Sequence, residues 1–186
     1  MIYTFYTRFA DRLNSEWFNQ LFQDLSPFLQ SKILKFRNWQ DTQRSLLGYI
    51  LLLKGLKYLG VTKYSLDDLK FTRYQRPFFD NYLDFNISHS GEYVICVISI
   101  TNKVGVDIEE LRNISIYDFK RQFSEKEWEG ILAAQDSLLS FYIHWTQKEA
   151  FLKAVGMGVN FPMNRINIIN FLYPITIYKL IYYHGG

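Results

Sequence analysis

The sequence predicts an α+β protein in which a long helix followed by short strands occurs twice. Three observations lead there. Between Asp41 and Leu59, Leu47, Ile50, Leu51 and Leu53 recur with helical spacing, and Gly60 stands where a helix C′ residue belongs. A second helical stretch runs from about Tyr117 to Val155 and ends at Gly156 and Gly158. Between them Val104-Gly105-Val106-Asp107-Ile108-Glu109 alternates, with Val106 and Ile108 pointing one way and Asp107 and Glu109 the other, as on a strand.

The elements follow in order. Ile2–Tyr6 reads as a strand. Ser26-Pro27 places a capping residue before a first-turn proline, so a helix begins there. After the helix of Asp41–Leu59, strands are expected near Leu69–Thr72, Leu83–Ser88 and Tyr93–Ile100. Thr101-Asn102-Lys103 then turns the chain into the Asp107 strand. The second helical stretch breaks near Gln135-Asp136-Ser137, and strands are expected at Ile166–Phe171 and Ile175–Tyr183. No low-complexity linker separates these parts.

Composition narrows the function classes. At 186 residues with 48% hydrophobic and 18% aromatic residues, the chain can build a substantial core, in one domain or two small packed halves. A formal net charge of +3 is too mild for a nucleic-acid binder, but it suits an anionic ligand. Cys96 is the single cysteine, set in an apolar run, so an inert buried thiol is expected and an intrachain disulfide is excluded. Three scattered histidines make no zinc constellation. The amino terminus lacks a signal-peptide pattern, and Tyr49–Leu53, the longest apolar stretch, falls far short of the ~20 residues a membrane span needs. A soluble cytoplasmic protein is the expectation.

Two segments carry chemistry. Asp107 and Glu109, two residues apart on a strand, have backbones roughly 6.5–7 Å apart, so their carboxylates can converge on one hard cation. On the second helix Glu149 and Lys153 stand at i and i+4, on one face. Three carboxylates and a lysine suit Mg²⁺ and a phosphate. Taken singly, each segment also reads as an ordinary surface: a solvated strand face outside the core and a helix ion pair worth a few tenths of a kcal/mol. Ser124-Glu125-Lys126-Glu127 reads as a capping box, which would account for both Ser124 and Glu127, the alternative being a catalytic Glu127.

In order along the chain stand Arg44-Ser45-Leu46-Leu47-Gly48, Arg76-Pro77, Phe85-Asn86-Ile87-Ser88-His89-Ser90-Gly91 and Gly105-Val106-Asp107-Ile108-Glu109. Phe123-Ser124-Glu125-Lys126-Glu127 and Trp145-Thr146-Gln147-Lys148-Glu149-Ala150-Phe151-Leu152-Lys153 follow. With these motifs the chain, up to about Phe161, resembles the 4′-phosphopantetheinyl transferases of the surfactin-synthetase-activating group. The resemblance implies a fold of two pseudo-symmetric halves, each a small, mostly antiparallel sheet packed on a long helix. The expected division is residues 1–103, with the coenzyme A nucleotide contacts, and residues 104–186, with the metal and catalytic residues. It also implies the reaction: the phosphopantetheine arm of coenzyme A moves to a serine of an apo acyl or peptidyl carrier protein, Mg²⁺-dependently, releasing 3′,5′-ADP.

Residue by residue, the resemblance makes Asp107, Glu109 and Glu149 the Mg²⁺ ligands. Glu149 is also a candidate base toward the carrier serine, directly or through a water. Lys153 is expected to neutralise the phosphate of the leaving group. His89, with hydroxyls from Ser88 and Ser90, matches the position that meets the 3′-phosphate of coenzyme A. Lys32, Arg44 and Arg76 match basic positions around the nucleotide. Lys148 is a secondary candidate or a surface lysine, Lys35 a weaker one, and Trp145 reads as core. Two departures stand out: the family usually has Lys-Pro at Arg76-Pro77, and the sequence ends at Gly186, before further family strands. From the latter we expect a less stable protein, or one that pairs its final apolar strand with a second copy. The alternative functions are a truncated, inactive coenzyme A-binding fragment and a metal-dependent nuclease, although Glu149 and Lys153 have helical spacing where nucleases commonly use Glu-x-Lys on a strand.

Overall fold

The computed structural model describes residues 1–80, 82–158, 161–166 and 175–183. Its order is β1 (Ile2–Arg8), α1 (Ser15–Gln23), α2 (Pro27–Ile33), α3 (Trp39–Tyr58), β2 (Lys70–Phe71), β3 (Pro77–Phe78), β4 (Asp84–Ser90), β5 (Tyr93–Ser99) and β6 (Lys103–Leu111). Then come α4 (Glu125–Ala133), α5 (Ser137–Val155) and β7 (Ile175–Tyr183), with short 3₁₀ turns at Leu66–Asp68, Ile116–Gln122 and Met163–Arg165. This is an α+β fold, as expected.

The helix starts follow local chemistry. Ser26 caps α2 ahead of Pro27, and Asn38 and Asp136 cap α3 and α5 with side-chain oxygens on backbone amides. Gly156, at φ 70°, closes α5 in the left-handed conformation that a β-carbon disfavours. Helix α1 and strand β3 are additions to the elements expected from the sequence. Helix α1 starts at the Asn14 cap and turns Phe18, Leu21 and Phe22 onto the α3 core as half-buried residues, with Phe18 stacked on Phe22; its stripe spans only two turns. Strand β3 is only two residues long.

Strands β1, β5 and β4 form an antiparallel sheet in that order, and β2 pairs antiparallel with β3. Strands β6 and β7 are parallel, Lys103 opposite Ile175 through Leu111 opposite Tyr183, with α4 and α5 in the connection that a parallel pair requires. The strand expected at Ile166–Phe171 falls, after Ile166, outside the described residues.

Packing is layered. Phe85, Cys96 and Ile98 share one core with Leu46, Leu52 and Leu56 of α3. On the other side of β5, Ile95 and Val97 pack against Val104, Val106 and Ile108 of β6. The opposite side of β6 meets α5 so closely that a β-carbon on Gly105 would fall 1.9 Å from the carbonyl oxygen of Ala150. Cys96 is fully buried, and burial pushes its thiol pKa up, as suits an inert packing residue.

The junction between β4 and β6 is made by side chains. The amides of Val104, Val106, Ile108 and Glu110 donate to Asp84 Oδ2 (2.8 Å), Asn86 Oδ1 (2.9 Å), Ser88 Oγ (3.4 Å) and Ser90 Oγ (3.1 Å). Alternate residues of one strand thus satisfy alternate amides of the other, where a backbone ladder would otherwise be needed. Among the described residues, no helix is long and apolar enough to cross a membrane.

Candidate active site

Strand β6 aims Asp107 and Glu109 toward α5 and the edge of β4. The Lys153 ammonium lies 2.5 Å from Asp107 Oδ1 and 2.8 Å from Ser88 Oγ, and Ser88 Oγ is itself 3.0 Å from Asp107 Oδ1. Asp107 is only 3% exposed, and its Oδ2 is buried without a hydrogen-bond partner. That corrects the expectation of a strand-face carboxylate outside the core. Glu109 accepts from Ser90 Oγ at 3.0 Å.

The carboxylates feel one another. Burial, and then the charge of Asp107, raise the pKa of Glu109, with Glu149 adding to the rise while Ser90 and Lys153 oppose it. Burial raises the pKa of Glu149 as well; Lys153 opposes and Asp107 reinforces the shift. A pocket of about 210 Å³ opens beside them, lined by Tyr74, Arg76, Asn86, Glu149, Lys153 and Gly158 among others.

Whether this donor set suits a hard divalent cation is decided by two facts that pull apart. Among the described residues, no group of three His, Cys, Asp or Glu side chains is arranged to hold a metal ion. Yet a sealed, unpartnered carboxylate oxygen faces an electrostatic environment that pushes Glu109 and Glu149 toward protonation. All-oxygen donors of this kind fit Mg²⁺, which takes few protein carboxylates and keeps its own waters. Lys153 occupies one Asp107 oxygen, and a cation on the other would offset the burial and mutual repulsion of the carboxylates.

His89 and Ser88 are consecutive on β4 and therefore face opposite ways. Ser88 is buried toward β6, whereas His89 is exposed toward α3. Local desolvation, then Lys153 and Arg44, lower the pKa of His89, with Asp41 opposing. Arg44 is bound on both sides: Nε donates to the Gly91 carbonyl at 2.8 Å and Nη1 to Asp41 Oδ1 at 2.9 Å. Arg44 thereby ties α3 to the β4–β5 turn. Its partner Asp41 stands at i,i+3 to Arg44, a spacing visible in the sequence itself.

The remaining candidates spread out. The Lys32 ammonium lies 4.1 Å from the centroid of Phe71, and burial lowers its pKa. Its described contacts do not reach the Asp107–Lys153 pair. Arg76 lines the pocket, but its guanidinium grips Asp84 and the Lys153 carbonyl. Lys148 is no surface lysine: it is 1% exposed and donates to Glu127 at 2.9 Å and to the Met163 carbonyl at 2.8 Å. Glu127 completes the capping box, its Oε2 accepting from the Ser124 amide at 2.8 Å. Burial works to raise the pKa of Glu127, but Lys148 and the Ser124 bonds outweigh it and hold the carboxyl below its ordinary value. Trp145 stacks on Phe141, 5.9 Å between centroids, within the core expected of it.

Comparison with known proteins places the chain in a family. A family model described as the 4′-phosphopantetheinyl transferase superfamily matches residues 103–175, and one described as 4′-phosphopantetheinyl transferase, N-terminal, matches residues 13–101. The chain is similar to the 4′-phosphopantetheinyl transferase gsp of Aneurinibacillus migulanus, 34% identical over 183 residues that cover 96% of this chain and 76% of the relative. It is also similar to the 4′-phosphopantetheinyl transferase Sfp of Bacillus subtilis, 33% identical over 172 residues covering 88% and 75%. A more distant likeness is to the L-aminoadipate-semialdehyde dehydrogenase-phosphopantetheinyl transferase of Mus musculus, 41% identical over 93 residues covering 45% and 30%. The chain belongs to the 4′-phosphopantetheinyl transferase superfamily and is an enzyme of that family.

Proposed function

We propose that this enzyme moves the 4′-phosphopantetheine arm of coenzyme A to a serine of an apo acyl or peptidyl carrier protein, releasing 3′,5′-ADP, with Mg²⁺ held by Asp107, Glu109 and Glu149. The observation that carries the reading is the buried, unpartnered Oδ2 of Asp107 beside two carboxylates of raised pKa, at the edge of a pocket. Residues 1–103 supply the nucleotide side through Lys32, Arg44, Ser88 and His89. Residues 104–186 supply the reacting side.

Bound there, Mg²⁺ supplies Lewis-acid stabilisation of charge on the pyrophosphate. The chain's own residues do the rest. Lys153, held by Asp107 and Ser88, presents an ammonium to the phosphate oxygens as negative charge develops. Glu149, kept basic by its surroundings, takes the proton of the carrier serine directly or through a water. The lowered pKa of His89 leaves its imidazole neutral at physiological pH, and a phosphate arriving between His89 and Arg44 would draw a proton onto it.

Incubating the full chain with coenzyme A and an apo carrier protein, and weighing the carrier, tests the reading. The expected result is a Mg²⁺-dependent mass gain of one phosphopantetheine, abolished by chelation. Coenzyme A binding without any mass gain would leave the inactive-fragment alternative; cleavage of a phosphodiester in nucleic acid would favour the nuclease.

A further inference from the structure

Arg76 occupies a position where a cation facing the nucleotide is the simple expectation, yet the structure turns it inward. The turn that delivers it is tight: Thr72 N donates to the Arg76 carbonyl at 3.0 Å, and Arg76 N donates to Thr72 Oγ1 at 3.2 Å. Pro77 keeps Arg76 extended rather than helical. The guanidinium then enters the interface of β4, β6 and α5, with its side chain 8% exposed.

Nε and Nη2 are both committed there. Nη2 donates to the two oxygens of Asp84 at 2.9 and 2.8 Å, with the carbonyls of Phe85 and Val104 at 3.4 Å. Asp84 is fixed in turn by the Val104 amide at 2.8 Å. Nε donates to the Lys153 carbonyl at 2.7 Å. That carbonyl lies in the last turn of α5, where acceptors run out of intrahelical donors. A cation there also complements the negative end of the helix dipole. The residue whose backbone Arg76 holds is the one whose ammonium reaches Asp107 at 2.5 Å and Ser88 at 2.8 Å.

We propose that Arg76 is a positioning residue: through Asp84 and the Lys153 carbonyl it sets where the Lys153 ammonium stands, and it does not serve as a contact of the coenzyme A 3′-phosphate. The proposal rests on the transfer reading above for its kinetic consequence, but not for its geometry. It also explains why an arginine fits here. A planar fork with fixed donor directions grips Asp84 with one nitrogen and a carbonyl with another, whereas a lysine ammonium on a flexible stem offers no such fork.

The test uses Arg76→Lys and Asp84→Asn in the full chain. Arg76→Lys keeps the charge but loses the fork. Asp84→Asn keeps the arginine but loosens its aim, and stands in should Arg76→Lys fold poorly. Both should lower kcat roughly 10- to 100-fold, the scale of a misplaced catalytic group. The ratio of KM for coenzyme A to KM for 3′-dephospho-coenzyme A should not change. A nitrogen-detected NMR signal from the hydrogen-bonded Lys153 ammonium should be present in the wild type and be lost or shifted in both variants. That signal is read without any transfer, so absence of carrier modification by the wild type would sink the transfer reading and leave this proposal standing. A selective rise in KM for coenzyme A over the dephospho analogue in Arg76→Lys would overturn the proposal. So would an unchanged Lys153 signal in folded variants.

Discussion

At Asp107 one carboxylate oxygen receives the Lys153 ammonium and the Ser88 hydroxyl, while the other is sealed from solvent without a partner. A charge so placed supports the fold through Ser88 and through Lys153, whose side chain stays 30% exposed. Asp107→Asn should therefore cost about 1–3 kcal/mol, below the full penalty of breaking a fully buried pair, and should abolish transfer. Urea unfolding and carrier mass read the two effects separately; full turnover in a folded variant would remove Asp107 from the site. Glu109 and Glu149 act in the opposite sense. Their folded pKa values lie above the unfolded ones, so the folded state binds more protons across that window. Their contribution to stability is present below the unfolded pKa, about 4.3 for a glutamate, and is lost as pH rises through the folded values. Glu109→Gln and Glu149→Gln should thus melt higher than the wild type at neutral pH and lose that advantage in acid. Saturating Mg²⁺ should raise the wild type toward the variants. Identical melting of all three proteins across this range would show that the carboxylates do not strain one another. Gln75 presents a separate residue-scale strain, standing at φ 65° where a β-carbon is disfavoured. Gln75→Gly should stabilise the protein by about 0.5–1 kcal/mol, the strain relieved less the added freedom of the unfolded chain. A loss of stability on the same urea measurement would show that the glutamine side chain matters more than its backbone.

Among the elements, the long periodic ones were legible and the short ones were not. Helix α3 and strand β6 were legible from their apolar spacing, and the structure buries Val104, Val106 and Ile108 of β6; of the α3 positions Leu47, Ile50, Leu51 and Leu53 it buries Ile50 alone, the others being half-buried beside a buried face of Leu46, Tyr49, Leu52 and Leu56. Helix α1 has a stripe, Phe18, Leu21 and Phe22, but it is only nine residues long and its stripe is half-buried against the α3 core, too short a run to stand out in the sequence. The site was legible as far as single elements carry it: Asp107 with Glu109 on a strand, Glu149 with Lys153 on a helix. The burial of Lys148 was not, because its partners Glu127 and Met163 come from other segments. Nor was the inward turn of Arg76, which depends on Asp84 and a helix carbonyl. What brings the two site elements together is Gly105, against which the backbone of α5 rests. Gly105→Ala would force α5 away from β6, since the obstruction is the main chain of Ala150 and no side chain can swing aside. The expected cost is about 3 kcal/mol, with a loss of activity larger than that of stability because Lys153 retreats from Asp107. Thermal melting and transfer rate measured on one preparation decide this. An undiminished melting temperature would mean the helix and strand are looser than their packing implies.

For the molecule as a whole, the seam between β4 and β6 decides how the β1–β5–β4 sheet and the β6–β7 pair behave as one. Four β6 amides, at Val104, Val106, Ile108 and Glu110, are satisfied by the side chains of Asp84, Asn86, Ser88 and Ser90. A backbone ladder survives most substitutions, because the side chains are not its donors and acceptors. This seam does not, since each rung is one replaceable side chain. Two of the rungs, Ser88 and Ser90, also touch Asp107 and Glu109, so the device that joins the sheets also sets the carboxylates. Asn86 offers the cleanest test because it is buried in the seam and its Oδ1 bonds the Val106 amide. Asn86→Leu preserves size but leaves that amide without an acceptor, at a cost of about 1–3 kcal/mol. Native-state hydrogen exchange should then show the Val106 amide losing protection well beyond the global loss, while the β1–β5 and β5–β4 ladders keep theirs. If protection at Val106 fell only in step with global stability, the two sheets would be held by apolar packing between β5 and β6, and the polar rungs would be incidental.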